Sequence, residues 1–181
     1  MSRCDAQRRA FRPGSPILNA VKLAPQEIRT YFVTTVTANR RRLFQVETAA
    51  QLMFDVLQGY RNQHRFELHA FVIMPDHVHL LLTPAPDVSL EKALQYVKGG
   101  FSFRLKSKRD IWERGFNEVQ ILNANKLHSC RQYIENNPVR AGLAASANAY
   151  AFSSAHWMDA VDPIPAHFTL GKRTLPGLKP S

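Results

Sequence analysis

The chain has 181 residues and carries 24 Lys and Arg against 14 Asp and Glu, a formal net charge of +10. That length fits one globular domain with extensions and falls short of the ~250 residues of a (β/α)8 barrel. Cys4 and Cys130 offer neither zinc-type spacing nor a disulfide framework, and no apolar run approaches the ~20 residues of a membrane span, which excludes the disulfide-stapled and membrane-spanning classes. A reduced, cytoplasmic protein without a signal peptide or membrane partner is expected. A field of this sign attracts phosphate backbones, although a merely soluble basic protein would carry it too.

In chain order, residues 1–28 read as a basic extension in which Arg3, Arg8, Arg9 and Arg12 precede the breaker cluster Pro13-Gly14-Ser15-Pro16. Residues 29–37, rich in Thr, Val, Tyr and Phe, predict a strand that ends in the basic turn Ala38-Asn39-Arg40-Arg41-Arg42. Leu52, Val56 and Leu57 predict a helix over residues 47–62. Two strands follow, residues 66–74 and 77–83, joined by Pro75-Asp76 and stopped by Pro84-Ala85-Pro86. Ser89 is the expected N-cap of a helix running to about Lys106, with Lys92 at the third helical position, so that no capping box forms. Residues 111–122 read as mostly extended and residues 125–136 as helical, with Pro138 expected to end that helix. From residue 159 the chain is a Pro-rich tail carrying Lys172, Arg173 and Lys179, expected to wrap the surface without a regular element. This order predicts an α+β sandwich, an antiparallel sheet with helices on one face.

Met74-Pro75-Asp76-His77-Val78-His79-Leu80-Leu81-Leu82 concentrates the chemistry. Side chains alternate along a strand, so His77 and His79 share one face while Val78, Leu80 and Leu82 take the other. Two imidazoles ~6–7 Å apart along the strand can converge on one divalent cation. The same pattern also fits a half-exposed polar face with no ligand. It occurs in metal-dependent hydrolases of small molecules too, which need further ligands and a longer chain.

The helix over residues 125–136 supplies Tyr133, and Asn137 follows at i+4, on the same helical face. Two imidazoles and an amide oxygen would leave open metal positions for a phosphate oxygen, and a tyrosine there could serve as nucleophile in phosphoryl transfer. Tyr31, Tyr60, Tyr96 and Tyr150 compete for that role, and Glu135 or Glu118 could replace Asn137 as third ligand. His69 and His128 are expected to be structural or surface residues. Lys98, Arg104, Lys106, Lys108 and Arg109 are the candidate DNA-binding residues; Arg40, Arg41 and Arg42 could contact the same strand or simply form a charged turn.

At these residues the sequence resembles the single-tyrosine HUH transposases, and within them the REP-associated tyrosine transposases. The resemblance rests on residues 74–81, on Tyr31-Phe32-Val33-Thr34-Thr35 and Trp112-Glu113-Arg114-Gly115-Phe116, and on the run from Tyr133 through Asn137-Pro138-Val139-Arg140-Ala141-Gly142-Leu143. Phe152-Ser153-Ser154-Ala155 and the terminal Pro176-Gly177-Leu178-Lys179-Pro180 agree with it. It implies a ferredoxin-like fold, with a catalytic domain over residues 29–158. It also implies Mg²⁺- or Mn²⁺-dependent cleavage and rejoining of single-stranded or hairpin DNA through a 5′-phosphotyrosine. His77 and His79 match the metal-binding histidines and Tyr133 the nucleophile, in a monomer or a homodimer. Two positions depart from the pattern. Asn137 stands where related motifs have Gln, and Phe116 lies in a segment where many relatives carry tyrosine; a hairpin-binding protein that has lost catalysis is the alternative these departures raise.

Overall fold

The computed structural model describes residues 28–165 and Phe168. Apart from Ile28, the expected N-terminal extension lies outside the described residues, as do Lys172, Arg173 and Lys179 of the tail. Four strands and three α-helices follow the expected order among the described residues: β1 Thr30–Val36, α1 Glu47–Asn62, β2 Phe66–Met74, β3 His77–Pro84, α2 Leu90–Leu105, β4 Asn117–Ile121 and α3 Ala124–Arg140. They build one sheet of order β2-β3-β1-β4 with every neighbouring pair antiparallel.

The α+β sandwich is as expected, but the helices occupy both faces. On one face α1 and α2 bury Met53, Val56, Leu57, Leu94, Val97 and Phe101 against Val33, Phe71, Ile73, Val78, Leu80 and Leu82 of the strands. On the other face α3 buries Leu127, Cys130 and Ile134 against Ala70, Val72, Met74, Leu81 and Ile121. The reason lies in β2 and β3, whose near-continuous apolar runs leave no polar side to face water. Leu127 and Ile134 are fully buried, so truncating either to Ala would cost roughly 2–5 kcal/mol. That packing fixes α3, and with it every residue α3 presents to the sheet.

Ser89 caps α2 as expected, its Oγ accepting from Lys92 N at 3.2 Å. Two element ends differ from expectation. The stretch 111–122 forms a true strand only over Asn117–Ile121; before it, Trp112 bridges to Thr37 and Gly115 turns the chain at φ +71°. α3 does not stop before Pro138 but continues through it to Arg140. Proline disfavours a helical conformation in the preceding residue without forbidding it, and a buried Pro138 packs usefully. The helix ends instead at Gly142, φ +68°, where Gly142 N donates to Val139 O and Leu143 N to Pro138 O. This paired bonding is the Schellman terminus that a left-handed glycine permits.

The described part of the tail is strapped to the body. Arg61 makes a bidentate pair with Asp162, whose other contact is Leu68 N at 2.7 Å. His69, 1% exposed, bridges Pro163 O at 2.8 Å and Thr83 Oγ1 at 2.9 Å, which gives it the structural role expected. His128 is on the exposed surface of α3, also as expected.

Candidate active site

β3 begins at His77, directly after the Pro75-Asp76 turn, on the sheet face that α3 covers farther along. Register places His77 between Val36 and Met74, and His79 between Thr34 and Val72. The two imidazoles are 4.7 Å apart, centroid to centroid. His79 Nδ1 lies 2.8 Å from Thr34 Oγ1, and His77 Nδ1 lies 2.6 Å from Asp76 Oδ1. The Nε2 atoms of both make no hydrogen bond among the described residues, which leaves them available to a shared ligand.

His79 is 6% exposed, and burial first, then the neighbouring His77, pushes its pKa down to about 3. It is therefore the neutral imidazole that a metal requires at neutral pH. Burial alone would raise Asp76, but the hydrogen bond and charge of His77, followed by those of Arg40 at 3.3 Å, outweigh it and hold the carboxyl below its usual range. Asp76 thus stays ionised and aims the His77 ring, as carboxylates do behind metal-bound histidines.

α3 starts at Asn123, whose side chain accepts from Lys126 N at 2.9 Å. Burying Leu127, Cys130, Ile134 and Pro138 turns Tyr133 to the edge of the packed stripe, where it is 40% exposed. Its ring stands edge-on to His79 at 5.6 Å and to Phe32 at 5.9 Å, while Phe32 stacks on His79 at 5.4 Å. Arg140 holds its guanidinium 5.4 Å over the Tyr133 ring. Because α3 persists past Pro138, Asn137 stays one helical turn beyond Tyr133 on the same side.

The other candidates fall elsewhere. Tyr31 packs with the α1/α2 core, Tyr60 stacks on Tyr96 at 5.2 Å among the helices, and Tyr150 Oη donates to Ile73 O at 2.9 Å with burial raising its pKa. Glu118 pairs with Val33 and so belongs to the α1/α2 side of the sheet. Glu135 is held by Arg131 at 2.8 Å, two residues from Tyr133 and so around the helix from it. Phe116 packs against the α1/α2 core. No group of three His, Cys, Asp or Glu among the described residues could hold a metal. The donors that the structure brings together are the two oriented imidazoles of His77 and His79.

The structure divides the basic candidates. Lys98 donates to Glu113 O at 2.9 Å and Gly115 O at 2.7 Å, pinning the loop before β4. Arg104 leans toward Gly59 of α1, and Lys106 caps α2 in a left-handed conformation. Lys108 and Arg109 join Asn39, Arg41 and Trp112 around a shallow pocket, and Arg41 donates to Asp110 O. The neighbouring Arg40 reaches Asp76, which links this basic turn to His77. Thr34, Asp76, Phe32 and Arg140 were not among the sequence candidates. Asp76 could have been found from its place before His77, whereas the others need the strand pairing or the docking of α3.

The family model described as "Transposase IS200 like" matches residues 27–137. The REP-associated tyrosine transposase of Escherichia coli K12 is 28% identical over 128 residues, covering 70% of this chain and 76% of that protein. A putative REP-associated tyrosine transposase of Haemophilus influenzae is 26% identical over 147 residues, covering 70% and 79%. A REP-associated tyrosine transposase solved bound to a REP hairpin superposes with a TM-score of 0.65 at 25% identity, over 81% of this chain and 89% of that one. The antiparallel sheet, the paired histidines and these matches agree: the chain belongs to the IS200-like transposase family.

Proposed function

We propose that this protein cleaves and rejoins single-stranded DNA at hairpin-forming sequences, with Tyr133 as nucleophile and residues 29–158 as its catalytic domain. The observation that carries the reading is the edge-on contact of the Tyr133 ring with His79, which is itself paired with His77. The likeness to a transposase solved with a REP hairpin supports the DNA class.

A Mg²⁺ or Mn²⁺ ion held by His77, His79 and the Asn137 amide oxygen would draw charge from the scissile phosphate and orient it. Asp76, an acceptor only, keeps the proton of His77 on Nδ1, and Thr34 orients the His79 ring. Arg140, over the Tyr133 ring, would attract the phosphate that Tyr133 meets. Tyr133 Oη attacks phosphorus, the P–O3′ bond breaks, and the 3′-oxygen leaves and takes up a proton. The 5′-phosphate stays esterified to Tyr133. Attack by a 3′-hydroxyl reverses the step, and the stored ester makes rejoining independent of ATP.

The test is a labelled hairpin from the flanks of the gene, incubated with the protein and Mn²⁺ and run on a denaturing gel. A covalent adduct lost in Tyr133→Phe and in His77→Ala/His79→Ala is expected. Tight binding with no adduct, under either metal and across several hairpins, would instead establish the hairpin-binding protein without catalysis. The shorter Asn137 amide is what favours that second reading.

A further inference from the structure

Beside Tyr133 the sheet and α3 leave a cleft. Its α3 wall is the stripe Lys126, Ser129, Cys130 and Tyr133, and its sheet wall is the cross-strand pair Phe32 and Val119. The opening measures about 340 Å³, within the ~300–1,000 Å³ of small-molecule sites. Val119 is 47% exposed although nothing in its strand position requires an apolar residue there, since β4 is the sheet edge. Lys126 sits two turns before Tyr133, ~10 Å along the helix, and places a cation at the far rim. The Ser129 hydroxyl donates to Asn125 O, so only its lone pairs face a ligand.

We infer that this cleft receives the unpaired nucleobase next to the scissile phosphate, and so holds that nucleotide in place before Tyr133. The inference rests on the strand-cleavage reading above and adds a base-binding subsite to it. An aromatic ring and an aliphatic wall accept the flat face of a base, and stacking of this kind is tolerant of sequence. A phosphate in front of Tyr133 brings its own nucleotide to the mouth of the cleft, and Lys126 complements the phosphate on the other side of that nucleotide. A peptide or a second copy of the chain would need no cation at the rim and no link to the nucleophile.

The experiment places 2-aminopurine in turn at each single-stranded position of the flank-derived hairpin and titrates it with full-length Tyr133→Phe protein. One position should lose at least half its fluorescence on binding. That loss should disappear when Val119→Asp or Ser129→Trp is added, with about tenfold weaker binding of the same oligonucleotide. Both substitutions are at exposed positions outside the catalytic set, so they also guard against failure to fold. If no position shows a signal that depends on the cleft, the base-binding inference is overturned. The adduct assay on unmodified DNA reports separately on cleavage, so an adduct without cleft-dependent quenching defeats only the subsite.

Discussion

Thr34 Oγ1 lies 2.8 Å from His79 Nδ1, joining two residues 45 positions apart through the β1–β3 pairing. With Nδ1 protonated and donating to that hydroxyl, His79 offers Nε2 as a lone-pair donor. Thr34→Val keeps the shape and removes the acceptor. We expect Mn²⁺ affinity, read by titration without DNA, to fall roughly 10-fold or more. Unfolding stability should change by only about 1 kcal/mol. Unchanged Mn²⁺ affinity would leave Thr34 as packing.

The two classes of basic residue separate by readout. Lys108→Ala or Arg109→Ala, beside the turn that reaches Asp76, should weaken DNA binding and flatten the log–log salt dependence by roughly 0.7 for each phosphate no longer neutralised. Lys98→Ala removes the donor to Glu113 O and Gly115 O, so it should lower stability by about 1–2 kcal/mol and leave the salt slope unchanged. A flattened slope for Lys98→Ala would make it a phosphate-binding residue after all.

Gly142 sits at φ +68° with no atom within 4 Å of where a Cβ would stand, so its replacement is strained by backbone conformation alone. Gly142→Ala should cost about 1 kcal/mol in urea unfolding. A neutral result would show that α3 needs no left-handed terminus.

Asp162 ties the tail strap to Arg61 and Leu68. Burial works to raise its pKa, yet the hydrogen bonds from Arg61 and Leu68 N and the Arg61 charge prevail and hold it below the usual range. A depressed folded pKa contributes stability that is fully present above the unfolded value of ~3.9 and is lost as pH falls through the folded one. Asp162→Asn should therefore be roughly 1–3 kcal/mol less stable than the parent at pH 7, with the gap closing below about pH 4. A gap independent of pH would assign the loss to shape rather than charge.

The strands and α1 were legible because their signals are local: β-branched runs, helical spacing, and turn residues between them. Alternation along residues 77–82 put both histidines on one side, and the structure keeps that arrangement. What lay beyond reach was set by contacts distant in sequence. The sheet was expected to be covered on one face only, and the period of α3 says nothing about which face it takes. Pro138 reads locally as a stop, and only its burial in the folded chain shows why the helix runs on to Arg140. Glu118 is one residue out of phase with the histidine face, a fact fixed by the β1–β4 register. Lys98 reads as a free cation until the loop carbonyls it binds are in place.

If Tyr133, standing 5.6 Å from His79, is the residue that takes the DNA phosphate, the covalent adduct must carry its nucleotide there. Trimming the adduct with nuclease, digesting the protein and locating the remaining nucleotide by mass spectrometry reads this out residue by residue. A nucleotide 5′-phosphate on the peptide containing Tyr133 is expected. A nucleotide on Tyr31, Tyr60, Tyr96 or Tyr150 would remove Tyr133 from the chemistry.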